Sequence, residues 1–158
     1  MKRYLYIFIS IVAVIITLTS CEDNLHIVFT DYYVCIKDEN GADKSTVKSN
    51  LDEEVYTYYV SLVAPTQDND IVVDYEIIPG DGLKEGVDYK MQRDSRGVTM
   101  AKGVYKMPIR VVWLAHKIDP DKDNSLTIKL TGCNNSSITI GYPGPSAKYS
   151  THKITKIN

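Results

Sequence analysis

The stretch Ile71-Val72-Val73-Asp74-Tyr75-Glu76-Ile77-Ile78 decides the fold class. Apolar side chains occupy every odd position from 71 to 77, and Asp74 and Glu76 stand between them. Because successive side chains of a strand point to opposite faces, this alternation predicts a β-strand with one buried face and one solvated face. The turn residues Pro79-Gly80-Asp81-Gly82 follow directly and predict where the strand ends.

The same period of two recurs along the chain, whereas the helical period of 3.6 residues is nearly absent. Asp38 to Glu54 is predicted to be one long polar loop, and Pro108 suits a strand edge or a bulge because it cannot donate to a ladder. Seven to nine short antiparallel strands predict an all-β, immunoglobulin-like β-sandwich over residues 27–158. The other predicted strands are Ile27–Lys37, Val55–Val63, Val87–Met91, Gly97–Met100, Val104–Leu114, the stretch around Leu126–Leu130, Ser137–Ile140 and His152–Ile157.

The first 20 residues have the zones of a bacterial export signal. Lys2 and Arg3 precede an uncharged apolar run from Leu5 to Leu18, which is short for a transmembrane helix. Leu18-Thr19-Ser20-Cys21 then resembles the lipobox of bacterial lipoproteins at every position. The alternatives are an ordinary cleaved signal with an incidental cysteine and an uncleaved N-terminal helix.

The lipobox resemblance implies that residues 1–20 are a removed signal peptide and that residues 21–26 are a tether. It also implies that Cys21 carries acyl chains such as palmitate, and two or three chains hold a domain firmly to a membrane. Glu22-Asp23 resembles the acidic tag that sends Bacteroidetes lipoproteins to the cell surface. The expected location is therefore the outer membrane, at the cell surface or on the periplasmic face.

Charge and size narrow the function classes. Loss of Lys2 and Arg3 with the signal takes the net charge from −2 to −4. Clustered Lys and Arg supply most of the energy of nucleic-acid binding, and this sequence has no such cluster, so a nucleic-acid partner is not expected. Residues 21–158 have the length of one ordinary domain.

Several short motifs occur in a fixed order along the chain: Ile71–Tyr75, Glu85-Gly86-Val87-Asp88-Tyr89, Val98–Gly103, Met107–Val111, Ile140–Pro145 and His152–Thr155. This order resembles the Calx-β type of immunoglobulin-like sandwich. The chain is still more similar to the Bacteroidetes lipoprotein domains of unknown function that are built on this plan and accompany Sus-like polysaccharide uptake systems. The resemblance covers most of residues 27–158 and implies a role in glycan capture.

A calcium site is one expectation that this resemblance raises. Asp119, Asp121 and Asp123 stand at alternate positions, as carboxylates do in loops that bind hard cations. The EF-hand pattern does not continue, because Asn124 and Leu130 replace its glycine and its last glutamate. A solvated acidic turn is the favoured interpretation.

Catalysis and cysteine chemistry have little support in the sequence. His26, His116 and His152 are isolated and no serine lies in a G-x-S-x-G elbow, so the chain is predicted not to be an enzyme. Cys35 and Cys133 are predicted to be buried or half-buried thiols, with a disulfide as the alternative, and they do not complete a zinc set.

The tyrosines are the remaining candidates for a binding surface. Tyr33, Tyr59, Tyr142 and Tyr149 lie on the polar sides of strands or in a late loop, and we nominate these four as a ligand platform. The other strand aromatics are expected in the core. These are Tyr56, Tyr58, Tyr75, Tyr105 and Trp113.

The predicted function is that of a non-enzymatic, lipid-anchored accessory or binding lipoprotein that captures glycans. One alternative is a structural or adhesive subunit that contacts an envelope protein partner through a sheet edge. The other alternative is a calcium-binding sandwich domain.

Overall fold

The computed structural model describes residues 31–48 and 51–158, and all regular secondary structure in these residues is β. The predicted signal peptide, Cys21, the tether and residues 27–30 of the first predicted strand lie outside the described residues. The described part of the chain contains no helix that is long and apolar enough to cross a membrane.

The described residues form ten strands, which make up two sheets. They are β1 (Tyr33–Lys37), β2 (Lys44–Lys48), β3 (Glu54–Val63), β4 (Ile71–Pro79), β5 (Tyr89–Met91), β6 (Gly97–Met100), β7 (Lys106–Trp113), β8 (Ser125–Cys133), β9 (Thr139–Ile140) and β10 (Thr151–Ile157). Sheet A has the order β5-β7-β3-β1-β9, and sheet B has the order β2-β10-β8-β4-β6. The apolar faces of both sheets contribute to one core, which confirms the predicted all-β sandwich.

The prediction of one polar loop from Asp38 to Glu54 is wrong, because Lys44–Lys48 forms β2 at the edge of sheet B. Val47 is the one buried side chain of this strand, so its sequence shows almost no period-two signal. β2 runs parallel to β10, and β1 runs parallel to β9. The sandwich therefore has one strand more than the predicted maximum and is not purely antiparallel.

Alternation fixes which side chains enter the core. In β4, Ile71, Val73 and Tyr75 are buried while Asp74 and Glu76 are exposed, as predicted. Tyr105 was predicted to be a core residue, and this prediction is wrong. Its side chain is 38% exposed, because β7 starts one residue later and the Tyr105 hydroxyl instead lies 2.7 Å from Thr66 Oγ1.

The predicted edge position of Pro108 is confirmed. β5 pairs with β7 only along Val111–Trp113, and the last main-chain bond between them runs from Gln92 N to Arg110 O. Pro108 therefore lies beyond the end of β5, where no other strand of the described residues borders β7 on that side. A residue without an N–H group is tolerated there because no ladder bond is lost.

A buried lysine links the two sheets. Lys156 on β10 has no exposed side-chain surface, and its Nζ donates to the carbonyl oxygens of Asp88 and Leu114 at 3.2 and 2.9 Å. The Asp88 carboxylate lies 3.9 Å away, contacts His116 Nδ1 at 2.7 Å and accepts a bond from Lys84 N at 2.8 Å. Burial lowers the pKa of Lys156, and the Asp88 charge opposes that shift.

A second polar cluster lies inside the sandwich. His152 on β10 is fully buried, with its Nε2 3.0 Å from Ser45 Oγ and its ring centroid 4.8 Å from that of Tyr58. Burial lowers the pKa of His152 and outweighs the opposing charges of Asp38 and Asp43. Burial also raises the pKa of Tyr58 to about 12. The cluster is therefore uncharged at neutral pH.

Removing the Asp88 charge is expected to destabilise the protein strongly. Asp88→Asn keeps the side-chain size but leaves the buried Lys156 ammonium without a carboxylate, so the free energy of unfolding should fall by about 3–5 kcal/mol. Urea unfolding followed by the fluorescence of Trp113, the single tryptophan, measures this change. Glu76→Gln is the control, because its 4.0 Å pair with Lys129 is exposed and should contribute under about 1 kcal/mol. Equal losses in the two variants would refute the structural role of Asp88.

Acid should destabilise the protein through His152. As the pH falls below 6.5, the unfolded chain protonates this residue while the folded chain keeps it neutral. The unfolded state then binds more protons, so the free energy of unfolding decreases by up to about 1.4 kcal/mol per pH unit. His152→Gln has no titrating group at this position. Urea midpoints at about pH 7.5 and pH 5 should show a larger acid loss in the wild type than in the variant. Parallel losses would contradict the account.

Candidate functional site

The four nominated tyrosines share one surface of the sandwich. In β1, Val34 and Ile36 belong to the core, so Tyr33 and Lys37, which have the opposite parity, point away from it. Cys35 shares the parity of Tyr33 and Lys37 but is buried. Lys37 pairs in register with Tyr59 of β3, which points outward in the same way. Tyr142 and Tyr149 join this surface from the segment between β9 and β10. We call the following set the tyrosine face: Tyr33, Lys37, Tyr59, Lys106, Tyr142 and Tyr149.

The segment from residue 141 to residue 150 is held against β1 by main-chain bonds. Gly141 N donates to Val34 O at 2.8 Å, and Ile36 N donates to Tyr149 O at 2.8 Å. Gly141 has a φ of 79°, and a Cβ there would lie 2.5 Å from the Ala147 carbonyl oxygen, so this tight turn requires glycine. Tyr149 itself has a φ of 61°, a conformation that is uncommon for a residue with a side chain.

Two kinds of ring contact organise the tyrosine face. The rings of Tyr33 and Tyr142 meet edge to face, with centroids 5.3 Å apart and an interplanar angle of 73°. Lys37 Nζ lies 4.2 Å from the centroid of the Tyr149 ring, and Lys106 Nζ lies 3.8 Å from that of Tyr59. An ammonium group over a tyrosine ring is attracted by the ring electrons. Lys37 and Lys106 thus belong to the site, although they were not among the nominated residues.

The tyrosine face is open to ligands but not uniformly exposed. Tyr142 is 54% exposed, whereas the other three tyrosines are half-buried. Burial raises the pKa of Tyr33, and the neighbouring ionisable side chains Cys35, Tyr142 and Tyr149 add to the shift. The Tyr33 hydroxyl therefore stays protonated at neutral pH and is able to donate a hydrogen bond to a ligand.

Cys35 lies beneath the tyrosines and is a buried free thiol, and Cys133 is a half-buried free thiol. The prediction that both cysteines are free thiols is confirmed. Burial raises the pKa of Cys35, and the nearby Lys37 only partly offsets this effect. Because the thiolate is the reactive form, Cys35 is a packing residue beneath the face.

The structure separates the predicted calcium residues from the tyrosine face and places them in the turn before β8. Asp119 Oδ1 accepts a bond from Asp121 N at 3.1 Å, and Asp123 Oδ1 accepts one from Ser125 N at 3.1 Å. Within residues 31–48 and 51–158, no three His, Cys, Asp or Glu side chains are grouped closely enough to hold a metal ion. Calcium binding at this turn stays a prediction.

An open depression lies at one end of the sandwich. It has a volume of about 550 Å³, and the residues that line it are amides, carboxylates, one serine and one isoleucine. Its amide groups already bond the protein, since Asn134 Nδ2 donates to Asp70 O and Asn135 Nδ2 donates to Gln67 Oε1. This depression has no aromatic ring in its lining, which distinguishes it from the tyrosine face.

The described histidines lie in the two polar clusters and not on the tyrosine face. His116 contacts the buried Asp88, and His152 contacts Ser45. The sequence shows these residues as isolated, because each partner is distant along the chain. His26, the third histidine, lies outside the described residues.

No protein-family model matches this chain, and no curated protein is similar to it in sequence. Among solved structures, a Bacteroides ovatus protein of unknown function superposes with a TM-score of 0.55 at 11% identity, over 78% of this chain and 46% of its own. EndoBT-3987 of Bacteroides thetaiotamicron, crystallised with a Man5GlcNAc product, superposes with a TM-score of 0.54 at 12% identity, over 77% of this chain and 30% of its own.

This chain thus spans less than half the length of either structure. A cohesin from Archaeoglobus fulgidus has a TM-score of only 0.35 and carries no weight. Identities this low are evidence of a common fold and not of a common activity. The chain is therefore a β-sandwich whose fold is similar to parts of two larger Bacteroides proteins.

Proposed function

We propose that this protein is a non-enzymatic lipoprotein of the cell envelope that captures glycans on its tyrosine face. The observation that carries the proposal is the gathering of Tyr33, Tyr59, Tyr142 and Tyr149 on one outer surface of sheet A. These residues come from two strands and one loop, so their proximity is a property of the fold and not of the sequence order.

A surface of this kind suits sugars physically. One side of a pyranose ring is largely C–H and packs on an aromatic ring, while its hydroxyls need donors and acceptors nearby. Tyrosine supplies both, because it has an apolar ring and a polar hydroxyl. The exposed Tyr142 ring is held by its edge contact with Tyr33, so little side-chain freedom has to be lost when a sugar binds.

Three further observations support the location and the role. The apolar run and the lipobox-like Leu18–Cys21 support an exported, lipid-anchored chain. A fold that is similar in part to EndoBT-3987, a protein crystallised with a glycan product, is consistent with a place among glycan-handling proteins. The Asp88 carboxylate and the Lys156 ammonium are buried and form hydrogen bonds within the protein. These bonds favour a structural role for the two residues over a catalytic one.

A second candidate is strand addition by a protein partner. β1 pairs with β3 only as far as Tyr59, so Glu54–Tyr58 has no strand beside it on that side within the described residues. A groove of about 310 Å³ lies there, lined by residues of β2, β3 and the turn after β1. An unpaired edge of this kind is able to accept an extended segment. A failed glycan screen would favour this candidate.

The lipid anchor is tested at Cys21. Metabolic labelling with an alkyne palmitate analogue should label the wild-type protein and place it in the membrane fraction. Cys21→Ala should abolish labelling, since the thiol that accepts the lipid is gone. Cys133→Ala is the matched control and should label like the wild type. An unlabelled wild type, or a labelled Cys21→Ala variant, would contradict the anchor.

Glycan binding is tested with the full-length protein in detergent on an array of neutral and acidic polysaccharides, with and without calcium. We expect binding that falls by roughly tenfold or more in the variant Tyr33→Ala/Tyr142→Ala, because each stacked ring contributes about 0.5–1.5 kcal/mol. Tyr105→Ala is the control. Tyr105 is an exposed tyrosine, but it precedes β7 at a position equivalent to the inward-facing residues of that strand, so it is not part of the tyrosine face. Absence of all glycan binding, or equal loss in the control, would refute the proposed site.

A further inference from the structure

The strand positions around the tyrosine face hold cations but no acidic residue. The outward positions of β1, β3 and β7 hold no Asp or Glu, and their charged residues are Lys37, Lys106 and Arg110. The neighbouring Lys90 on β5 is neutralised by Glu53 at 3.1 Å. In the described part of the chain, no ion pair to a carboxylate involves the other three cations. A chain with net charge −2 thus presents a positive surface here.

Two of these cations are held in defined places. Lys37 Nζ lies over the Tyr149 ring at 4.2 Å, and Lys106 Nζ lies over the Tyr59 ring at 3.8 Å. The ring attracts the ammonium electrostatically but does not use its N–H donors as a carboxylate would. Each ammonium therefore keeps donors for an anionic ligand while its position is restricted beforehand.

The spacing of the strands that carry the two lysine–tyrosine pairs indicates the size of the ligand. Tyr149 bonds to β1 on one side, and Tyr59 lies on β3 at the other side. The main chains that carry these two rings are thus two strand spacings, or about 10 Å, apart. A single small anion does not bridge that distance, whereas a chain with repeated negative charges does.

We propose that the tyrosine face selects anionic polysaccharides, with carboxylates of uronic acid residues bound by Lys37 and Lys106 and the sugar rings contacting Tyr33 and Tyr142. This inference rests on the proposed glycan capture and specifies the class of glycan. The face complements such a ligand in charge, since it offers cations and tyrosine hydroxyls but no carboxylate acceptors.

The outer face of sheet B provides a comparison within the same molecule. Lys44 and Lys48 of β2 are also exposed and point outward. The outward residues of sheet B include no aromatic ring, so these lysines have a charge similar to that of Lys37 and Lys106 without the tyrosines. Substituting Lys44 and Lys48 therefore distinguishes binding at the tyrosine face from general electrostatic attraction to exposed lysines.

The test compares polygalacturonate with its fully methyl-esterified form, which has the same sugar without the charge. Full-length protein in detergent should bind the acid form at least about tenfold more tightly, and the preference should weaken as NaCl rises to about 0.15 M. Lys37→Gln/Lys106→Gln should lower affinity for the acid form by about tenfold and leave affinity for the ester unchanged. Lys44→Gln/Lys48→Gln should bind like the wild type.

The other outcomes each have a distinct meaning. Equal binding of both polymers, lost in Tyr33→Ala/Tyr142→Ala but not in the lysine variant, would overturn the anionic preference and leave glycan capture intact. Equal losses in the β2 control would show general attraction and overturn the inference. Lysine-dependent binding to phosphatidylglycerol vesicles without polymer binding would show a membrane contact instead. Binding of neither polymer, together with an empty glycan array, would refute both proposals.

Discussion

The alternation of side chains along β3 is the constraint on which the rest of the structure depends. β3 lies between β1 and β7 in sheet A, and its residues Tyr58, Val60 and Leu62 fill the core. The period of a strand is two, so the burial of these residues forces Tyr59 and Ser61 to the outer surface. A slip of one residue in register would bury the outward set and expose the core. The hydrophobic effect therefore fixes both the core and the composition of the tyrosine face.

Long-range pairings complete the face and stabilise the sandwich. The residues after β9 bond to β1 and bring Tyr142 and Tyr149 beside Tyr33, while β10 continues into sheet B. Buried Lys156 then joins β10 to the main chain near Asp88 in the other sheet. Burying a charge is costly unless it is paired, so this contact favours one arrangement of the two sheets over others. The C-terminal strand thus contributes both to the core and, through the segment that leads into it, to the tyrosine face.

The predictable part of the fold is the part whose signal is local. The alternation in β4 and β8 and the edge position of Pro108 could be predicted, because each depends on neighbouring residues alone. β2 could not, since a polar edge strand with the single buried residue Val47 has the composition of a loop. The four tyrosines could be nominated by their polar positions, but the roles of Lys37 and Lys106 depend on which rings the fold brings beneath them. The prediction that Tyr105 lies in the core was wrong, because the alternating sequence pattern extends beyond the first residue of β7.

The central claim is that the outer face of sheet A, and no loop cluster or second face, is the binding surface. Titration of the isotopically labelled protein with a short oligogalacturonate, followed by amide and side-chain chemical shifts, tests this directly. The account predicts that the shifts concentrate on Tyr33, Lys37, Tyr59, Tyr142 and Tyr149, while β2 and the turn at 119–124 are unaffected. Shifts confined to the end of the sandwich around residues 67–70 and 134–136, or to sheet B, would contradict it.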